Sequence, residues 1–210
     1  MHIAEPMTLI TDYLLAGLVL YLGARLQGVW RRSGQRAVRW WAMGFHASAA
    51  AALAGGSYHG FLPFLGGLPA FLLWKFTVFS VGVAALCLFA GAVFATLSGT
   101  PRKWLLALAG LKFLVYVGWM SVHDDFRFVI YDYAPALLGV FLLAIHAALG
   151  RRERFAPWLI GGVIVSFAAA GIQATGLRLH EHFNHNDFYH VVQMGAFWLF
   201  YRGGALLRDR

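Results

Sequence analysis

The chain of 210 residues is 60% hydrophobic and 12% charged, with 17 Lys and Arg against 9 Asp and Glu. Soluble domains carry about 25% charged residues, so this balance, with a mean hydropathy of +0.65, excludes that class and points to a membrane protein. The formal charge of +8 does not point to nucleic acid, because the basic residues are spread over short loops of the kind that set membrane topology.

A helix needs about 20 apolar residues to cross the hydrocarbon layer, and seven runs of that length are visible. The first, Met7 to Gly28, has no positive residues before it and no small-residue cleavage site after it, so a span is expected here and not a signal peptide. The second, Trp40 to Tyr58, carries His46 and ends in Gly55-Gly56-Ser57-Tyr58-His59-Gly60. The third, Leu68 to Leu97, contains Lys75 and the single cysteine, Cys87, so no intramolecular disulfide forms. The fourth, Trp104 to Val122, contains Lys112 and is followed by His123-Asp124-Asp125. The fifth, Phe128 to Leu149, holds Asp132 and His146, and the sixth runs from Pro157 to Thr175. A connection of about a dozen residues, Gly176 to Asp187, then leads to the seventh, Phe188 to Leu207, which opens on His190. No loop is long enough to hide a soluble domain, so residues 1–210 are expected to form one seven-transmembrane, all-α bundle. Gly- and Ala-rich stretches such as Ala47 to Gly56 and Ala168 to Gly171 read as close helix packing, and the tryptophans near run ends as interfacial anchors.

Lys and Arg are retained on the cytoplasmic side of a membrane, and here they alternate sharply between loops. Arg25, Arg31, Arg32, Arg36 and Arg39 lie at the first loop, Arg102 and Lys103 at the third, Arg151, Arg152 and Arg154 at the fifth, and Arg202, Arg208 and Arg210 in the tail. The alternate loops hold Arg127 and Arg178. Most acidic residues take the other side: Glu5, Asp12, Asp124, Asp125, Asp132, Glu181 and Asp187, against Glu153 and Asp209. The pattern predicts a multi-pass protein of the cell (inner) membrane with its N-terminus outside and its C-terminus cytoplasmic. Histidines follow the acids: His2, His59, His123, His180, His182, His185 and His190 fall toward the outer face, and only His46 and His146 toward the inner one.

His59 and His190 therefore reach the outer boundary from different helices. Imidazole nitrogens at such a place can hold zinc while water keeps an open coordination position, and zinc-bound water is acidic enough to attack an amide or ester. The third ligand is open among His185, Asp187 and His182. His185 and His190 are five residues apart, about 140° around a regular helix, so both reach one ion only if His185 precedes the regular helix. Asp187 is three residues from His190 and shares its face, although Asn184 or Asp187 can instead cap the seventh helix. A wet loop of ordinarily hydrogen-bonded histidines is the plain alternative for the whole cluster.

With His59 at the end of the second helix and His190 in the seventh, the arrangement resembles the seven-helix membrane hydrolase superfamily that contains alkaline ceramidases and the adiponectin and progestin receptors. In that family a histidine near the end of helix two joins two histidines of an HxxxH motif in helix seven. Here His190 matches one motif position, the other falls on Asn186, and His185 stands one residue earlier. The family serine position is Gly55, the nearest hydroxyl is Ser57, and no acidic residue lies between His59 and Leu97. The resemblance implies a zinc-dependent hydrolase acting on a membrane lipid amide or ester at the outer interface. His59, His185 and His190 would be the metal ligands, Asp124 or Asp125 the proton acceptor, and Ser57 the oxyanion donor.

Two other readings come from different classes. His46 and His59 lie thirteen residues apart on one helix, a separation suited to two b-type hemes near opposite faces, with His146 and an outer histidine as second axial ligands. A noncatalytic lipid-binding or receptor-like protein with a structural metal is the other. Lys75 and Lys112 are costly within a bilayer: Lys75 is expected to orient a lipid phosphate or carboxylate, to pair with an outer aspartate or to snorkel, and Lys112 to pair with a partner not visible in the sequence or to stay neutral.

Overall fold

Seven helices account for the computed structural model, which describes residues 3–178, 180 and 182–210. His2 and Glu181, both assigned above to the outer face, lie outside the described residues. The helices are α1 (Pro6–Ser33), α2 (Arg36–Phe61), α3 (Gly67–Thr96), α4 (Gly99–Val122), α5 (Arg127–Arg151), α6 (Ala156–Thr175) and α7 (His185–Gly204), with a 3-10 turn at Leu62–Phe64. Among the described residues no strand forms, and one isolated bridge joins His180 to Phe183 ahead of α7.

Several helices outrun the apolar segments that predict them. Hydropathy marks the part suited to hydrocarbon, whereas helical hydrogen bonding continues until something stops it. α1 passes Gly28 and ends only at Gly34, whose φ of 69° is the left-handed value that glycine adopts freely and whose amide donates to the Trp30 carbonyl at 2.8 Å. α2 starts at once after Gln35, so α1 and α2 form a tight antiparallel hairpin.

Five helices, α1, α3, α4, α5 and α6, are long and apolar enough to cross a membrane. α2 and α7 are less so because of what they carry: small residues and His46 in α2, and the polar opening His185–His190 in α7. Packing follows a closed circuit, α1 on α2, α2 on α3, α3 on α5, α5 on α6, α6 on α7 and α7 back on α1, while α4 lies outside against α3 and α5. Trp41 of α2 is wholly buried in the circuit, its indole N–H donating to the Phe200 carbonyl of α7 at 3.0 Å. Its ring meets Phe200 edge-on at 6.0 Å, and Phe45 meets Phe197 edge-on at 5.2 Å. A Cβ on Gly204 would fall 2.3 Å from the Trp41 ring, so only glycine lets α7 close over it.

The two ends of the bundle differ chemically. At the arginine end the tail clamps α2: the Asp209 carboxylate accepts from the amides of Arg36 (3.0 Å) and Ala37 (2.7 Å) and from the Arg36 guanidinium (2.9 Å). Arg151 and Arg210 both donate to the Thr96 carbonyl at the end of α3. The histidine end gathers the starts of α1, α3, α5 and α7 and the ends of α2, α4 and α6.

Candidate functional site

The site is built by the first turns of α1 and α7 and the last turn of α2. α7 opens on a reciprocal cap: the Asn184 side chain accepts from the amides of Asn186 (2.7 Å) and Asp187 (3.3 Å), and Asp187 accepts from the Asn184 amide (2.7 Å). Three backbone amides of the helix start are satisfied in this way. Asp187 is thereby a structural cap, with its other oxygen 3.5 Å from the Thr11 hydroxyl.

One turn further on, His190 faces α1. Thr8, Thr11 and Asp12 occupy one face of α1 because they are spaced by three and four residues. His190 Nε2 lies 3.2 Å from Asp12 Oδ1, and Nδ1 lies 3.0 Å from Thr11 Oγ1. The side chains of His190 and Asp12 are only 9% and 7% exposed. Thr11 has one hydroxyl proton, and the carbonyls of Met7 (3.0 Å) and Thr8 (3.2 Å) are within its reach. When the hydroxyl donates back to its own helix it accepts from His190 Nδ1–H, and His190 Nε2 and Asp12 then share one proton between them. Gly56 of α2 makes the approach possible, since a Cβ there would lie 2.7 Å from the Asp12 Cβ.

His59, one turn beyond Gly56, is one-third exposed (33%), with its Nδ1 3.4 Å from Glu5 Oε1. His185 is the first residue of α7, and its buried Nδ1 has no hydrogen-bond partner. Among the described residues no three His, Cys, Asp or Glu side chains converge to hold a metal ion. The expected trio of His59, His185 and His190 is therefore not assembled: both nitrogens of His190 are engaged by α1, and His185 stands within the regular helix, where a five-residue offset turns it away.

The expected catalytic groups are each engaged by other partners. Ser57 hydrogen-bonds the Leu53 carbonyl (2.8 Å) and the Tyr13 hydroxyl (2.9 Å). Asp124 pairs with Lys75 at 2.7 Å. Asp125 takes the side chain and amide of Arg127, which hold its carboxyl below the usual range. The carboxylate beside His190 is Asp12, which the sequence reading placed only in the outer acidic group. Its signal was an acid inside an apolar span, where charge is rarely tolerated without a use.

Lys75 pairs with an outer aspartate, one of the alternatives given above, and its three N–H groups meet Asp124, the Met120 carbonyl (2.5 Å) and the His123 carbonyl (2.8 Å). Lys112 of α4 finds its partner in Asp132 of α5, bonding both its carboxylate and its carbonyl. Further toward the arginine end, the His46 ring packs against Gly23 of α1.

Searches among curated proteins and among solved structures give no match. A family model does match, over residues 7–209, and the chain belongs to that family, a family of unknown function (DUF6962).

Proposed function

We propose that this protein is an integral membrane hydrolase acting on a lipid amide or ester, with the Asp12–His190 pair as its acid–base element. All seven helices span the bilayer in this reading, the histidine end faces the extracytoplasmic side, and the arginine end faces the cytoplasm, as the Lys and Arg bias directs. One observation carries the chemistry: a carboxylate and an imidazole from helices 178 positions apart in sequence meet at 3.2 Å in a nearly dry setting at one end of the bundle. A pair that shares one proton can take a proton from water as it attacks the carbonyl. The same pair returns it to the leaving amine or alcohol as the C–N or C–O bond breaks, giving a fatty acid and the deacylated lipid. Such positioned proton transfer contributes about 10²- to 10⁴-fold.

Zinc is a second reading, favoured by one distance. Two donors bound tetrahedrally at about 2.0 Å stand about 3.3 Å apart, close to the 3.2 Å between Asp12 and His190. In that case Asp12 and His190 would be two of the ligands.

The test is incubation of the purified protein with mixed amide- and ester-linked lipids, with released fatty acid read by mass spectrometry. Asp12→Asn and His190→Ala should each lower release by about 100-fold or more. Release that is absent in the wild type, or unchanged in both variants, overturns the hydrolase reading. Metal content of the same three proteins separates the two readings: a stoichiometric zinc lost in both variants supports the ion.

A further inference from the structure

On the far side of His59 from α1, an open cleft of about 500 Å³ lies between the end of α2 and the start of α3, lined by Tyr58, His59, Phe71, Trp74 and Asp124 among others. Two features decide what it suits. The first is aromatic: the Tyr58 and Trp74 rings form a corner, centroids 5.2 Å apart and tilted by 41°, and Phe126 stands 6.1 Å behind Trp74. The second is charge. Asp124 is 62% exposed and uses only one oxygen on Lys75. Lys75 has all three N–H groups committed, to Met120, His123 and Asp124, so it has none left for an anion. The Trp74 indole N–H is committed as well, to the Asp124 carbonyl at 3.1 Å. Phe71 already lies under the Lys75 ammonium at 5.2 Å, which leaves Tyr58 and Trp74 as the rings open to a guest. The wall thus offers π faces and a free carboxylate oxygen, no free Lys or Arg, and one imidazole, His59, whose Nδ1 is turned to Glu5, a lining that disfavours a phosphate or carboxylate and favours an alkylammonium group.

We infer that this cleft is a subsite for the quaternary ammonium headgroup of a membrane lipid. The inference rests on the hydrolase reading for its place in a reaction: His59 lines the cleft and stands one turn of α2 beyond Gly56, which packs against Asp12, so a lipid with its ammonium among these rings lays its linkage toward Asp12 and His190. A lipid and not a free amine is the assigned source, because the cleft opens at the end of apolar helices beside the exposed rings of Phe71 and Phe126.

Titration calorimetry of the full chain in maltoside tests it with three probes: choline, its neutral isostere 3,3-dimethylbutanol, and dihexanoylphosphocholine below its micelle concentration. Choline and the short lipid should bind, the lipid more tightly, and the neutral isostere about tenfold more weakly than choline. Trp74→Leu should weaken both charged probes by about tenfold and Tyr58→Leu by about threefold, the size of partly desolvated and more exposed cation–π contacts. Equal binding of the neutral isostere, or wild-type binding by both variants, overturns the cation subsite, and choline binding as tightly as the lipid overturns the lipid assignment. Binding is read without turnover and should persist in Asp12→Asn, so an empty cleft and a silent hydrolase assay are separate failures.

Discussion

Replacing Asp12 or His190 alone strands its partner in a place with almost no water, and the cost of each change should fall when both are made together. Removing one member of a buried charged pair costs about 3–5 kcal/mol, and leaving a neutral buried donor or acceptor unpaired costs about 1–3 kcal/mol. With side chains 7% and 9% exposed, Asp12→Leu and His190→Leu should each cost about 3 kcal/mol, or a fall in Tm of about 6–12 °C for a chain of this size. The double variant leaves no orphaned polar atom on either side of the contact, so it should cost about 2 kcal/mol less than the sum of the singles. Cys87 makes the measurement convenient: it is the one cysteine in the chain and is 1% exposed, so a thiol-reactive fluorogenic dye reports its uncovering as the bundle opens on heating. Strictly additive Tm shifts would show that the two side chains are not energetically coupled and would remove the basis for a shared proton.

Three further outcomes follow from named contacts. Lys112→Met should destabilise strongly, by about 3 kcal/mol, because it strands Asp132, one of whose oxygens is already buried without a partner; Lys112→Met with Asp132→Leu should recover most of the loss, and a double variant as unstable as the single refutes the pairing. Partial burial pushes the Asp209 carboxyl up, but the Ala37 amide and the guanidinium and amide of Arg36 outweigh it and hold its pKa below the ordinary 3.8. Its folded value is thus depressed, so its contribution is complete above pH 3.8 and is lost as pH falls through the lower folded value. Asp209→Asn should then lower Tm by about 2–4 °C at neutral pH, as for a lost helix cap of about 1 kcal/mol, with the gap to wild type narrowing in strong acid; a gap independent of pH refutes the clamp. A fluorescent protein fused after Arg210 should light up in intact cells, and alkaline phosphatase fused there should be inactive; the reverse pattern overturns the proposed orientation.

How much of this was legible beforehand varies with how local the signal is. The existence of seven helices could be read because an apolar run of about 20 residues is a local property. The circuit of six helices with α4 outside could not. In lipid a face turned toward neighbours and a face turned toward acyl chains are both apolar, so periodicity does not separate them. α4, with Trp104, Leu108, Leu111 and Trp119 exposed, has no polar face to mark its position.

The site divides along the same line. Asn184 and Asp187 as a cap, and the misfit of a five-residue offset between His185 and His190, are spacing arguments within one helix, and the geometry agrees with them. The partner of His190 is a contact between the first and last helices, and no spacing rule reaches across 178 positions. Counting histidines by membrane face points to the end of the molecule where Asp12 and His190 meet but passes over the carboxylate inside α1. An acid five residues beyond the start of an apolar span has to be answered by something in the bundle, and the same reasoning pairs Asp132 with Lys112. Charges inside apolar helices, taken two at a time from neighbouring helices, thus predict contacts of this bundle that the spacing of the loop histidines does not.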